Sequence, residues 1–364
     1  MSTQRLVENF ISYVSIDSES GNELEFCNFI EDELKQVGFS VERSYVGENF
    51  GSNGYNVHGY LPGEGESILV CCHMDTVRPG NGVKPIVTED KITSDGTTVL
   101  GSDDKSGIAE IIETARVLQE TGAKHRPIEV MFTLCEETGL FGSKWAEYDK
   151  IKSKSCLVID GEDIGEIVNT AAANLVYSFH IKGRAAHAGI SPESGIHALK
   201  AAARAISNIP VGHVDEYSVC NVANFISAGA TNIVAPKADF DMEFRSFKEE
   251  NVQKHIKNAI DAVKEACDFY GATFTYESDR HSTAFSINPD SAFIKDVCKA
   301  YEDAGIAPHL EKTLGGCDQS NIATHDIDTV CIGSGMRNVH TTSEYIMIKD
   351  MEDCVKFLVE LFKI

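Results

Sequence analysis

The hydrophobic residues of the chain change their spacing several times, and each change predicts a different kind of element. Three short runs are largely apolar, at 68–72, 128–134 and 156–159, and only the second is interrupted by polar residues, Glu129 and Thr133. Such runs predict strands that are buried on both faces of a parallel sheet. Between the first two runs, apolar residues recur with helical spacing over about 104–119, which predicts an amphipathic helix. Strands and helices that alternate in this way indicate a doubly wound α/β domain.

From about residue 173 the chain follows a second pattern. The predicted order is strand, helix, strand, strand, helix, strand, which is the arrangement of a ferredoxin-like α+β domain of about 110 residues. The elements are expected at 175–182, 193–208, 218–228, 238–246, 249–268 and 272–278.

Beyond about residue 285 the α/β pattern returns, and the first residues of the chain, with two amphipathic helices, fit it as well. We therefore predict an α/β domain with a doubly wound mixed sheet, formed by residues 1–173 and 285–364 and interrupted by an inserted domain at 174–284. The remaining elements are expected as helices at 3–15, 22–37, 291–304 and 349–362 and a strand at 329–333.

Composition and charge narrow the classes of function. Apolar residues are 42% of the chain and charged residues 24%, which is ordinary for a soluble globular protein and excludes collagen-like, coiled-coil and disordered classes. Lys and Arg number 32 against 56 Asp and Glu, a formal net charge of −24. Because a field of this sign repels phosphate backbones and anionic lipids, we expect no nucleic-acid partner and no membrane partner.

The cysteines and the apolar runs bear on where the protein works. The 11 cysteines are scattered, and Cys135, Cys156 and Cys331 lie within apolar stretches, which favours reduced thiols over a disulfide framework. No apolar run reaches the roughly 20 residues that a membrane-spanning helix needs. The first residues lack the apolar stretch of a secretory signal. These features predict a cytoplasmic protein.

Five short polar segments follow the predicted strands. The first holds His73 and Asp75, directly after the run at 68–72, and residues two apart in a strand point to the same side. A histidine with a carboxylate beside it suits a metal ligand, although a surface histidine at a strand end is the ordinary explanation of this segment alone. The other segments contain Asp103 and Asp104, Glu136 and Glu137, Asp160, and His340.

Each of these segments has an ordinary explanation when it is taken singly, such as a helix cap or a solvated turn. Together they lie at the carboxyl ends of predicted strands, where ligands bind in open α/β sheets. Carboxylates crowded there would repel one another unless cations offset their charge. The set therefore predicts a metal centre.

Two divalent ions would match a set of three carboxylates and two histidines. Imidazole and carboxylate ligands suit Zn²⁺ and, less selectively, Co²⁺ or Mn²⁺. Glu136 is left without a ligand role beside the ions, where it is well placed as a general base. The hypothetical ligands are His73, Asp103, Glu137, Asp160 and His340.

These residues make the chain resemble the M20 family of dinuclear zinc peptidases and amidohydrolases, and within it the tripeptidase (peptidase T) branch. The resemblance implies two Zn²⁺ per subunit, one held by His73, Asp103 and Asp160 and the other by Asp103, Glu137 and His340. It covers almost the whole chain and rests on Cys72–Thr76, Gly101–Lys105, Glu136–Gly139, Asp160–Gly161 and His340.

The resemblance also assigns roles beside the metal ligands. It implies that Asp75 orients His73 and that Glu136 is the catalytic acid and base. It further implies a cis peptide bond between Asp103 and Asp104. The α/β domain then becomes the catalytic, zinc-exopeptidase-like domain, and the inserted domain becomes a lid and dimerisation domain.

In the inserted domain the resemblance points to residues that touch the substrate. His187, in Gly183–Gly189, is expected to stabilise the oxyanion that forms on the substrate carbonyl. Asn232 and Arg245 are expected to contact the carboxylate end of the substrate, and the segment that begins with Gly315 and Gly316 to line the cleft. Cys317, where relatives often have Ser, is given no catalytic role. A homodimer through the inserted domain is also implied, and the sequence leaves open whether His187 serves its own or a neighbouring site.

The function implied is zinc-dependent hydrolysis of a peptide bond in small peptides, as an aminopeptidase that releases the N-terminal residue of tripeptides. An N-acyl-amino-acid deacylase or another M20 amidohydrolase is the alternative within the enzyme class. A non-catalytic metal-bound interaction protein is the alternative of another class, and the presence of Glu136, which no ion needs, argues against it. A dinuclear phosphoesterase is disfavoured because the sequence near the proposed ligands lacks a glycine-rich phosphate cradle.

Overall fold

The computed structural model describes residues 2–364, which divide into two compact units. The second unit consists of Ala171–Phe285 together with the short stretch Thr313–Gly316. The inserted domain predicted at 174–284 lies within this unit, whereas the sequence did not predict that residues 313–316 join it. The first unit consists of the residues up to Thr170, Ser286–Lys312 and Cys317–Ile364.

The elements are numbered in chain order through both units. The helices are α1 (Thr3–Val14), α2 (Leu24–Gln36), α3 (Ser102–Thr121), α4 (Phe141–Lys144), α5 (Ala198–Asn208), α6 (Glu249–Tyr270), α7 (Ala292–Asp303), α8 (Gln319–Ile322) and α9 (Ile348–Phe362). The strands are β1 (Ser40–Ser44), β2 (Asn56–Leu61), β3 (Ile68–His73), β4 (Ile86–Val87), β5 (Lys91–Thr93), β6 (Ile128–Thr133), β7 (Ser155–Gly161), β8 (Glu166–Ala171), β9 (Ala173–Lys182), β10 (Gly212–Asp215), β11 (Ser218–Ile226), β12 (Lys237–Ser246), β13 (Thr273–Ser282), β14 (Phe285–Ser286), β15 (His309–Thr313), β16 (Asp328–Gly333), β17 (Met336–Arg337) and β18 (Tyr345–Met347). Within residues 2–364, no helix is both long enough and apolar enough to cross a bilayer.

The first unit is built on a mixed sheet with the strand order β1-β2-β6-β3-β7-β16-β8-β14, in which β15 pairs with β8. The central strands β6, β3, β7 and β16 run parallel, and β2 and β8 are antiparallel to their central neighbours. Every residue of β3 and β6 is buried, as expected of strands covered on both faces. The predicted α/β fold with a mixed sheet is confirmed.

Helix α3 packs closely on this sheet because it carries a glycine at the contact. A Cβ atom on Gly107 would lie 2.9 Å from the Cys72 sulfur and 2.8 Å from the Ile159 carbonyl oxygen, closer than a side chain tolerates. The residues that begin the helix are therefore held near the carboxyl ends of β3 and β7. The peptide bond between Asp103 and Asp104 is cis, as the resemblance implied.

The second unit is an antiparallel sheet in the order β10-β11-β12-β9-β13, with α5 and α6 packed on it. Along β12 buried and partly exposed residues alternate, so one face of the sheet carries the apolar core. The helix predicted at 193–208 begins only at Ala198. That prediction was wrong at its start because Arg184 and Ile196 form a β-bridge with two backbone hydrogen bonds, of 3.0 and 2.9 Å. The sequence also missed the short strand β10.

Candidate metal centre

Strand β3 ends in a buried histidine that faces two carboxylates. His73 Nδ1 lies 2.9 Å from the backbone carbonyl oxygen of Asp75. Its Nε2 atom lies 2.9 Å from Oδ1 of Asp103 and 3.7 Å from Oδ1 of Asp160. The Asp75 carbonyl thus fixes the orientation of the ring, as the second nitrogen of a metal-binding histidine is usually fixed. His73, Asp103 and Asp160 form a first group whose potential ligand atoms lie within 4.8 Å of one another.

A second group forms around the histidine near the end of the chain. His340 Nε2 lies 3.2 Å from Oδ2 of Asp103 and 2.9 Å from Oε2 of Glu137. The ligand atoms of Asp103, Glu137 and His340 again lie within 4.8 Å of one another. The structure therefore brings the five hypothetical ligands together, and Asp103 belongs to both groups, with one oxygen toward each histidine.

Glu136 is buried beside the two groups, and a third cluster combines it with His73 and Glu137. Burial raises the pKa of the Glu136 carboxyl well above its usual range; the His73 imidazole opposes this rise, and nearby carboxylates, Asp318 and Glu137 among them, add to it. A carboxyl group whose pKa is raised toward neutrality can both accept and return a proton. The environment of Glu136 therefore suits acid and base chemistry.

The carboxylate of Asp75 holds the backbone of the two adjacent glutamates. It accepts hydrogen bonds from the backbone N–H groups of Glu136, at 2.9 Å, and Glu137, at 3.3 Å. The hydroxyl of Ser20 donates a third bond to it at 2.6 Å. The shortest distance from this carboxylate to His73 Nδ1 is 3.6 Å, so it is the carbonyl group of Asp75 that contacts the ring. Asp75 thus links His73 to the turn that carries Glu136.

Within residues 2–364, the carboxylates of the two ligand groups pair with the imidazole groups of His73 and His340, and no carboxylate of the cluster pairs with a Lys or Arg side chain. The buried Lys105 donates to the Ile16 carbonyl oxygen instead, at 2.8 Å. Burial raises the pKa of Asp160 well above its usual range, and the charge of Asp103 adds to this. Buried carboxylates require paired charges or metal ions. Carboxylates and histidines that converge in this way fit a pair of divalent cations.

Two further buried carboxylates support the centre, and sequence reasoning missed both. Glu23 accepts hydrogen bonds from the Cys135 N–H at 3.2 Å and the Ser52 hydroxyl at 2.6 Å, and so fixes the turn before Glu136. Glu344 binds the residues that precede Asp103. No local pattern marks either residue, because a single glutamate in a polar segment is ordinary in any sequence.

The remaining predicted residues belong to the second unit, where the structure brings them together in two pairs. The segments of His187 and Asn232 are paired, since the Ala188 N–H donates to the Asn232 carbonyl oxygen at 2.9 Å. Arg245 donates to the carbonyl oxygen of Leu314 at 2.7 Å, which places it beside the segment of Gly315 and Gly316. Their roles in substrate binding stay predictions.

A comparison with protein families decides the class of this site. The profile described as peptidase family M20/M25/M40 matches residues 69–364, a range that includes all of the hypothetical ligands and Glu136. The chain belongs to the M20/M25/M40 peptidase family. The prediction of an enzyme of the peptidase class is thereby confirmed.

Solved structures similar to this M20/M25/M40 family member include two peptidases. A tripeptidase from Staphylococcus aureus subsp. aureus Mu50 is 31% identical, with 100% of this chain and 98% of that chain covered, at a TM-score of 0.97. Aminopeptidase PepT from Bacillus cereus ATCC 10987 is 32% identical, with 99% and 98% covered, at a TM-score of 0.95. Peptidase T of Bacillus subtilis strain 168 is 26% identical over 99% of this chain and 98% of its own. The resemblance to the peptidase T branch is confirmed.

Proposed function

We propose that this peptidase is a dinuclear metal-dependent aminopeptidase that removes the N-terminal residue of tripeptides. The observation that carries the proposal is the position of Asp103 between two groups of potential ligands, with Glu136 buried beside them and, within residues 2–364, paired with neither Lys nor Arg. The similar proteins described as tripeptidase and aminopeptidase support the substrate class.

In this proposal, His73, Asp103 and Asp160 would hold one ion, and Asp103, Glu137 and His340 the other. Zn²⁺ is the first choice for these ligands, and Co²⁺ or Mn²⁺ also suits them. When bound, two such ions would polarise the scissile carbonyl and lower the pKa of a water molecule toward about 7.

The side chains of this protein would then move protons and bind the substrate. The Glu136 carboxylate accepts a proton from the attacking water and returns it to the departing amine, while Asp75 holds the backbone of Glu136 in place. His187 donates a hydrogen bond to the oxyanion.

Arg245 and Asn232 bind the carboxylate end of the substrate in this proposal, and Gly315 and Gly316 line the cleft. Two N–H groups of Arg245 are engaged by Leu314 and Glu243. A guanidinium group carries five such donors, so three remain to bind a substrate carboxylate.

A peptide panel tests the substrate class. Metal-free protein, reconstituted separately with zinc, cobalt and manganese, is assayed on trialanine, its N-acetyl and C-amide forms, dialanine and N-acetylalanine. We expect cleavage of trialanine at its first bond only. We expect the N-acetyl form to react at least about tenfold more slowly, because a site that binds a free amino group is left with unpaired polar groups.

The same panel separates the alternatives. Hydrolysis of N-acetylalanine with trialanine untouched would identify a deacylase. Bound metal ions without hydrolysis of any substrate would identify a non-catalytic metal-bound protein and contradict the proposal.

A homodimer through the second unit is also proposed, and the edge of its sheet supports it. Strand β10 pairs with β11 only from Ser218 to Cys220. Within residues 2–364, the outer edge of β11 beyond Cys220 has no further strand beside it. Phe225 and Ile226 on this edge are 43% and 60% exposed. An open strand edge with apolar side chains is a template for pairing with a second chain.

Light scattering after gel filtration tests the dimer. The wild-type protein is expected at about twice its 39.7 kDa chain mass, and Ile226→Lys at the mass of one chain, because a charge on the edge opposes pairing. Ile190→Lys is the matched control, since Ile190 is 78% exposed in the same unit but lies outside the strand. A wild-type protein with the mass of one chain would refute the dimer.

A cytoplasmic location is proposed as well. Each of the 11 cysteines is free, and nine of them are buried. Free thiols persist where the compartment is reducing, which supports the cytoplasm.

A further inference from the structure

The loop that carries His340 ends in a buried carboxylate, Glu344, which is 1% exposed. Its Oε2 atom accepts hydrogen bonds from the N–H groups of Leu100 at 2.7 Å and Gly101 at 3.0 Å. Its Oε1 atom accepts bonds from the N–H and the hydroxyl of Ser102, both at 2.6 Å, and from the N–H of Asp103 at 3.2 Å. We refer to Glu344 together with residues 100–103 as the Glu344 clamp.

The clamp joins the two loops that carry Asp103 and His340. The Glu344 carboxylate binds the backbone N–H of Asp103, and Glu344 itself lies four residues after His340. Its donors are the backbone N–H groups of residues 100–103 and the Ser102 hydroxyl, which precede the regular part of α3 because Asp103 and Asp104 have non-helical backbone angles. Five hydrogen bonds on one carboxylate leave little freedom to either loop.

The backbone of the His340 loop needs such an anchor. Asn338 and His340 have φ angles of +54° and +61°, values that are uncommon for residues other than glycine, although Asn and His adopt them more readily than most. The His340 side chain is 55% exposed, so packing alone restrains it weakly. The loop is closed by a bond from the Glu344 N–H to the Thr341 carbonyl oxygen at 3.1 Å. Glu344 thus fixes the loop to residues 100–103, in addition to the pairing of β17 with β18 at the base of the loop.

We propose that Glu344 is a positioning residue that holds Asp103 and His340 at the spacing required by the ion between them. The inference rests on the proposed function, because it assumes that the site binds two ions. The ion held by Asp103, Glu137 and His340 depends on the clamp for the position of two ligands, Asp103 and His340. The ion held by His73, Asp103 and Asp160 depends on the clamp only through Asp103, since β3 and β7 carry its other two ligands.

The test compares two buried glutamates. Glu129, at the start of β6, is also fully buried and accepts bonds from the Ser153 N–H at 2.8 Å and hydroxyl at 2.6 Å. It lies at the opposite end of the strand from Glu136, so Glu129→Gln disturbs a comparable carboxylate away from the ligands. Titration calorimetry with Mn²⁺ on metal-free protein measures each ion, and thermal unfolding measures stability.

For Glu344→Gln we expect the ion held by Asp103, Glu137 and His340, identified as the one that His340→Ala releases, to bind about 10–100-fold less tightly, the usual loss when a partner of a metal ligand is removed. The other ion should keep an affinity close to that of the wild type, and kcat/KM should recover when Mn²⁺ is added in excess. Glu129→Gln should lower the Tm and leave both affinities unchanged. Should Glu344→Gln fail to fold, Ser102→Ala removes only the hydroxyl bond and should weaken the same ion by a smaller factor.

Two outcomes would overturn the inference. Unchanged affinities in both Glu344→Gln and Ser102→Ala, with two ions in the wild type, would reduce the clamp to a structural feature and leave the proposed function intact. An equal loss of metal affinity in Glu129→Gln would also overturn the inference, because the effect would then not be specific to Glu344. A wild-type protein that binds fewer than two ions would instead refute the proposed dinuclear function, and the clamp with it.

Discussion

Glu136→Gln is expected to lower kcat by about 10²–10⁴-fold, the usual contribution of a general acid or base, while the protein keeps both metal ions. The amide has the shape of the carboxyl group but cannot take a proton from water. The backbone N–H of residue 136 still donates to Asp75, so the turn keeps its conformation. Steady-state kinetics with the zinc-reconstituted protein and measurement of bound metal check the two halves of this prediction.

The neighbouring glutamate is the matched control. Glu137 contacts His340 within the second ligand group, so Glu137→Gln should lose an ion as well as turnover. The metal content of the two variants would then distinguish the acid and base Glu136 from the ligand Glu137, although the two residues are adjacent in one turn. Turnover that survived Glu136→Gln, or loss of an ion from it, would show that the proton is moved by another residue.

Asp103→Ala is expected to release both ions, because one of its oxygens faces His73 at 2.9 Å and the other faces His340 at 3.2 Å. Asp160→Asn and His340→Ala should each release one ion, since each belongs to a single group. Metal analysis after gel filtration at a fixed free zinc concentration should find no ion in Asp103→Ala, one ion each in Asp160→Asn and His340→Ala, and two in the wild type. Activity should disappear with Asp103→Ala.

Stability provides an independent measure of the same prediction. An ion that binds only the folded state stabilises it by about 2.7 kcal/mol at a hundred times its Kd. Zinc should therefore raise the Tm of the wild type most, that of Asp160→Asn and His340→Ala less, and that of Asp103→Ala not at all. If Asp103→Ala retained one ion and its thermal shift, the two groups would not share this residue.

The sequence predicted the central elements better than the peripheral ones. Strands β3 and β6 are buried at every position, and such burial leaves a mainly apolar run in the sequence, with Glu129 and Thr133 as the polar residues of β6. Strand β1 has a single buried residue, Ser44, so its sequence carries no comparable pattern. Strands β1, β2 and β8 were not predicted, because their pairing is decided by the neighbouring strands more than by their own residues.

By itself, the sequence predicted the residues that we propose to carry the chemistry and placed them after buried strands, because burial and helical spacing are local properties. Only the tertiary structure decided that Asp103 lies between two histidines, that Asp75 binds the backbone of Glu136, and that Glu344 binds residues 241–244 positions before it. These contacts join segments far apart in the chain. They arise from the order of strands in the sheet and the packing of α3 on it, and no local pattern of hydrophobic and polar residues records them.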